Sequence, residues 1–410
     1  MIFAATPLFV SEILVRTLGA IVAGGSALLI AALLARKSRF YQAQLEETVA
    51  RQLPLDGLRG LMAWCVFVHH TDIARQWLKS GTWACDSELV LFAGKGAVLV
   101  FFMITGFLFW SKAVAAKGRL SPVSLWLSRL RRLAPLYLLS AVIIFILASN
   151  ALQAASSPVR WSFLGRLFGL GILDWSRLPG YKLILANGGV QWSLWYEWRF
   201  YALLPVAACF ACGRRIYILI GLGVLLASFV DLRSDSIFYW LAFLPGVLSV
   251  YLVSNVRIRQ LLCARTSALV AATWCLSVLA VSRFGGYFWD LIALTPFFCT
   301  VAAGNSYFGF LIRPAARLLG TISYSVYLLH GLILLGILKA LGNMVSLSNL
   351  PWPLYCCLVA GIATSVVLIC ATTYRWVEHP FLIWRTPWER AKTAPGSRII
   401  NAPRPRLVQS

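Results

Sequence analysis

Four stretches of this chain set ionisable side chains among apolar neighbours, where a charge is costly and is by default a functional feature. The run LDGLRGLMAWCVFVHH (55–70) carries Asp56, Arg59, His69 and His70. At about 100° per residue, the steps from Arg59 to His70 leave the two within about 20° of one face, about 16 Å apart along a helix. His69 points about 80° to the other side, so helix geometry selects His70 as the inward-facing residue. Asp56 shares the Arg59 stripe. A helix cap for Asp56 and snorkelling to lipid phosphates for Arg59 are the structural alternatives.

In QWSLWYEWRFYALLP (191–205), Ser193 and Glu197 are one helical turn apart and stack on one face. A carboxylate there can orient an imidazole or hydrogen-bond a sugar, or simply pair with Arg199. Trp192 and its aromatic neighbours form either an interfacial belt or a stacking platform for pyranose rings. LSRLRRLAPLYLLS (127–140) projects Arg129 and Arg132 on one side, a guanidinium pair suited to a polyphosphate. Ordinary positive loop charge explains the pair as well. GTISYSVYLLH (320–330) sets His330 mid-helix with Ser323, Tyr324, Ser325 and Tyr327, suited either to helix packing or to catalysis.

The elements that must hold these residues are membrane helices. Of 410 residues 60% are apolar and only 12% charged, about half the charge of a soluble domain. The apolar residues fall in long runs, which excludes a soluble globule, a disordered chain and a coiled coil. The net charge of +23 (37 basic against 14 acidic residues) sits in clusters between those runs, the pattern that orients membrane proteins and not one for nucleic acid. Nine of the 10 cysteines lie in or at the ends of apolar segments; Cys85 alone falls in a loop, and Cys209 and Cys212 lack partners for a zinc site. No metal is expected.

The fold class is all-α, a polytopic membrane bundle of about eleven spanning helices. The runs lie near 11–35, 55–74, 89–111, 133–150, 190–211, 215–231, 236–253, 266–283, 288–304, 318–339 and 352–376. Basic loops, such as those with Arg36 and Lys37, Lys117 and Arg119, Arg257 and Arg259, or Arg313 and Arg317, alternate with loops holding Asp72, Asp86, Glu88, Asp174, Asp231 and Asp235. The positive-inside rule then puts the amino terminus in the periplasm and the carboxyl terminus in the cytoplasm. The 151–189 loop is an exception, basic on the outer side, and its apolar part at 161–173 reads as a half-inserted or surface-lying segment. Residues 1–52 read as an extra amino-terminal helix with a basic linker, 53–382 as a ten-helix unit and 383–410 as a basic, disordered tail. The first run is too long for a signal peptide.

Together these strings resemble the membrane acyltransferase-3 family, whose members O-acylate cell-envelope carbohydrates. The LDGLRG run with His70, FFMITGFLF (101–109), Arg129-x-x-Arg132 with Pro135 and Tyr137, QWSLWYEWRFYALLP, LGTISYSVYLLH and VEHPF (377–381) match its motifs in order over about residues 53–382. Thr105 stands where serine is usual, and bulky residues flank Glu197. The resemblance implies a stand-alone enzyme of the bacterial inner membrane, without an appended esterase-like domain. It would move an acyl group, most often acetyl, from cytoplasmic acetyl-CoA or another acyl-CoA to a glycan or lipid-linked glycan. Acyl-CoA is then a co-substrate, and no cofactor is bound permanently. A sugar hydroxyl barely ionises at neutral pH, so it needs a base, and imidazole with an ordinary pKa of about 6.5 is suited. His70 takes that role, with Glu197 as orienter or substrate ligand and Arg59 deeper in the donor path. Arg129, Arg132 and Tyr137 hold the donor; Asp56, Trp192, Ser193 and His330 serve the acceptor or support the site. A transporter or flippase of a lipid-linked sugar is the alternative, although no inverted repeats are evident. Oligomeric state is left open.

Overall fold

A computed structural model describes residues 7–46, 52–154, 161–172, 187–208, 236–282, 286–342, 347 and 350–384. Among them there is no strand, and the chain is a bundle of helices. In chain order these are α1 (Pro7–Lys37), α2 (Arg39–Glu46), α3 (Leu53–Ser80), α4 (Glu88–Ala115), α5 (Pro122–Ala154), α6 (Trp161–Phe168) and α7 (Trp192–Ala208). Then follow α8 (Ser236–Leu241), α9 (Phe243–Ser254), α10 (Val256–Cys263), α11 (Arg265–Ser282), α12 (Tyr287–Ala303), α13 (Pro314–Thr321) and α14 (Ser323–Gly342). Last come α15 (Trp352–Thr373), a π-helical turn at Tyr374–Glu378 and α16 (His379–Ile383).

Among the described residues, 7 helices are long and apolar enough to cross a membrane. Helices stand at every expected span except 215–231, which lies outside the described residues together with Cys209, Cys212, Asp174, Asp231, Asp235 and the tail. Part of the basic linker, Arg39–Glu46, is helical. Its apolar residues recur at helical spacing, so α2 folds along the bundle with Tyr41 and Leu45 buried. The Tyr41 hydroxyl donates to the Ala371 carbonyl at 2.6 Å, and Arg317 donates to the Leu45 carbonyl at 2.5 Å. In the basic 151–189 loop, α6 buries Phe163 and Leu167, while residues 155–160 and 173–186 lie outside the described residues.

The extra helix α1 lies along α15 and also touches α13. Ala23, Ala27, Ala31 and Ala35, one turn apart, form its buried stripe; small residues let membrane helices approach closely enough for dispersion and weak polar contacts to hold them. At its amino-terminal side Arg16 reaches Asp72 of α3 at 3.1 Å. Leu18, Ile21, Leu29 and Leu33 remain exposed, a face that suits lipid.

The LDGLRG run is where α3 meets α13, and its glycines serve that crossing. A Cβ on Gly57 would collide with the Leu311 carbonyl, one on Gly60 with the Gly320 nitrogen, and one on Gly320 with the Asp56 carbonyl. Backbone therefore packs on backbone beneath Asp56 and Arg59, which fixes where both side chains start. Gly320→Ala is expected to destabilise the protein by about 1–3 kcal/mol through overpacking. Gly361, whose Cβ position is open, should accept alanine without loss, because alanine is the better helix former. Thermal unfolding of both variants in the same detergent checks this; equal midpoints would remove the packing role.

Candidate functional site

α3 and α14 pack side by side, and each brings one histidine to their shared seam. His70 is 8% exposed and His330 not at all. Nδ1 of His330 lies 2.8 Å from the Val326 carbonyl, so it carries the hydrogen, leaving Nε2 as an acceptor. That Nε2 is 3.1 Å from Nδ1 of His70, which also faces the Val66 carbonyl at 2.9 Å. The network assigns a hydrogen to Nδ1 of His70, shared between His330 and Val66. Nε2 of His70 points away from both, toward the Gly188 carbonyl at 3.0 Å. His69 turns to α4 instead, where its ring fills the space a side chain at Gly94 would need.

The turn that meets His70 is built for close approach. Gly188 and Gly189 have φ of 76° and 70°, a left-handed conformation that side chains disfavour. A Cβ on Gly188 would also press on the His70 ring at 2.9 Å. The same turn ends at Val190, whose carbonyl accepts from the Ser193 and Tyr327 hydroxyls, themselves 2.7 Å apart. Tyr327 and His330 are three residues apart on α14, so this turn touches one continuous polar face. Beside it, Asn187 is fully buried and Gln191 is 2% exposed. Nδ2 of Asn187 and both polar atoms of the Gln191 amide lack hydrogen-bond partners among the described residues. Buried amides in that state are uncommon, and their bonding capacity is open to a ligand.

Toward the Arg59 end a second cluster gathers Glu197, Glu378 and three arginines. Glu197 accepts from the Tyr201 hydroxyl at 3.0 Å and from Thr105 at 3.5 Å, and Arg129 and Arg59 are the cations that act on it. The Arg129 guanidinium lies 4.7 Å from the Phe109 ring centre and 5.7 Å from that of Tyr201. Arg132 instead pairs at 3.2 Å with Glu378, a fully buried carboxylate that also accepts from Ser325. Arg59 stands 3.9 Å from Asp56 and within electrostatic reach of both Glu197 and Glu378. Tyr324 lies under Arg132 and donates to the Leu133 carbonyl at 2.8 Å, and Tyr137 is buried nearby.

Several expectations change in this light. The partner of His70 is His330, not Glu197, whose hydrogen bonds go to Tyr201 and Thr105 at the arginine cluster. Arg199 does not pair with Glu197 in the contacts it shows; it stacks on Trp195 at 3.2 Å. Arg129 and Arg132 share a helix side but engage different carboxylates, so Arg132 is already committed to Glu378. Trp192 is 39% exposed and its ring lies tilted against Tyr239, with centroids 4.6 Å apart, in an aromatic group with Tyr196 and Phe102. Reading the sequence for site residues passed over Glu378, Tyr201, Asn187, Gly188 and Gln191. VEHPF was a signal for Glu378, since an acid at the end of an apolar run needs a partner; the paired glycines signalled the turn at 188.

A family model described as an acyltransferase domain matches residues 54–371. No curated protein and no solved structure matches the chain.

Proposed function

The chain belongs to the acyltransferase-3 family, and on that premise we propose that it O-acylates a glycan or lipid-linked glycan from acyl-CoA, with His70 as general base. The observation that carries this reading is the 3.1 Å contact between His330 Nε2 and His70 Nδ1. It holds a hydrogen on Nδ1 of His70 and leaves Nε2 as the reacting nitrogen, which faces the Gly188 carbonyl at 3.0 Å. Nε2 serves as the base once it is without a hydrogen and an acceptor hydroxyl replaces that carbonyl. The Gly188 carbonyl occupies the place where an acceptor hydroxyl would sit. The acceptor O–H gives its proton to Nε2, its oxygen bonds to the thioester carbonyl carbon, and CoA leaves as the thiolate, which takes up a proton. Asn187 and Gln191 supply amide groups for neighbouring sugar hydroxyls.

The donor belongs at the other end. Arg129 and Arg59 suit the phosphates of CoA, with Glu197 and Tyr201 holding Arg129 in place, while Arg132 and Glu378 form the wall behind. Clustered positive loop charge puts this end in the cytoplasm and His70 toward the periplasm of a bacterial inner membrane. The acyl group therefore travels through the bundle, about 16 Å from the Arg59 level to the His70 level. Acetyl is the group we favour, on the family resemblance.

Purified protein in detergent, given acetyl-CoA and a glycan acceptor, is expected to release free CoA thiol; no release under any acceptor tested would sink the reading. Gln191→Leu is expected to raise the acceptor KM roughly tenfold, about the worth of one buried hydrogen bond, with the donor KM unchanged. If the donor KM moves instead, Gln191 belongs to the donor path.

A further inference from the structure

Away from the polar seam, α1 and the segment leading into α13 enclose a groove of about 680 Å³. Its walls are apolar, with Leu28, Leu29 and Ala32 on one side and Phe310 on the other, and Arg36 and Arg313 line it as well. The volume lies within the range of about 300–1,000 Å³ that is typical of ligand sites. Arg36 belongs to the last turn of α1 and Arg313 immediately precedes α13, so the two cations come from different elements. Both are exposed, and neither side chain has a hydrogen bond, ion pair or ring contact among the described residues. Among the described residues, no acidic side chain lines the groove. Exposed Leu29 and Ile312 on either side mark it as facing the bilayer.

We propose that this groove binds one anionic phospholipid, its phosphate held between Arg36 and Arg313 and an acyl chain laid along Leu28, Leu29, Ala32 and Phe310. A basic pocket at the end of an apolar cleft between membrane helices has the chemistry of an anionic headgroup site. An ordinary annular lipid needs no cations. A soluble phosphate would leave the apolar wall wet, whereas a phospholipid satisfies both halves of the groove at once. The lipid would join the extra helix α1 to α13, the helix on which the Asp56–Arg59 turn of α3 is packed. The site is separate from the donor and acceptor ends and does not depend on the reaction proposed above.

The full-length protein, delipidated in detergent, is titrated with short-chain phosphatidylglycerol, with phosphatidylcholine of the same chain length and with glycerol 3-phosphate, and binding is read from the thermal midpoint. Two arginines near the bilayer surface give an expected preference for phosphatidylglycerol over phosphatidylcholine of roughly thirtyfold. Arg36→Gln with Arg313→Gln should abolish that preference, while Arg257→Gln with Arg259→Gln, exposed cations on α10, should keep it. Gly25 also lines the groove and its Cβ position is open, so Gly25→Trp should block lipid with both arginines intact. Equal affinity for the two lipids, equal affinity for glycerol 3-phosphate, or the same loss in the Arg257/Arg259 variant would each overturn the proposal. So would undiminished phosphatidylglycerol binding in the Arg36/Arg313 variant or in Gly25→Trp.

Discussion

His70→Ala is expected to lower acyl transfer by about 10²–10⁴-fold, the usual worth of a positioned general base. His69→Ala should retain a substantial fraction, although the two rings are neighbours with centroids 5.1 Å apart. The difference comes from which helix each ring meets: His69 packs on α4 at Gly94, and His70 meets His330 and the Gly188 carbonyl. His330→Phe keeps an aromatic ring in the seam but removes one of the two acceptors for the His70 hydrogen, leaving only the Val66 carbonyl. Its loss should be smaller, about 10–100-fold, as for other residues that orient a functional histidine. That loss should fall on kcat, with both KM values near those of the wild type, because His330 touches neither substrate in this account. Kinetics of the three variants check the set. Equal losses for His69→Ala and His70→Ala would contradict the assignment of the base.

Glu378→Ala should be the most destabilising change in the arginine cluster, by about 3–5 kcal/mol, because it leaves Arg132 and Ser325 without their buried acceptor. Glu378→Gln keeps an acceptor for Ser325 but loses the charge, and should cost less. Removing both ends of the pair, as in Arg132→Met with Glu378→Leu, should recover much of the stability, since replacing a whole buried ion pair by apolar groups is often neutral. If the double variant is stable and still binds acyl-CoA, Arg132 is structural and the donor phosphates rest on Arg129 and Arg59. Should it be stable but lose donor binding, Arg132 is also a ligand. Thermal unfolding of Glu378→Ala at the wild-type midpoint would show that the buried pair contributes nothing.

The sequence carried the scaffold well because membrane helices announce themselves by length and apolarity. The LDGLRG run also announced its face, since a fixed rotation per residue separates His70 from His69. The partnership of His70 was harder to read. His330 lies far along the chain, and only the packing of α3 against α14 brings Nε2 of one ring to Nδ1 of the other. Depth along one helix placed Glu197 near the level of His70. Its actual hydrogen bonds depend on rotation about α7 and on where α4 delivers Thr105, and neither is contained in local spacing. Arg129 and Arg132 show the same limit: their shared helix side was legible, but the carboxylates that divide them come from α7 and from the π-turn after α15. A π-turn at Tyr374–Glu378 has no simple periodic signature, which is why the inward aim of Glu378 emerges only in the fold.

The central claim is that an acyl group enters at the arginine end and leaves at the histidine end of one bundle. Proteoliposomes with the protein in a single known orientation test it most directly, with labelled acetyl-CoA supplied on one face and a glycan acceptor confined to the other. The account predicts labelled acceptor only when acetyl-CoA is on the Arg129 face and the acceptor on the His70 face, with the label lost in His70→Ala. Labelled acceptor formed with both substrates on the same face, at the rate of the crossed arrangement, would contradict it.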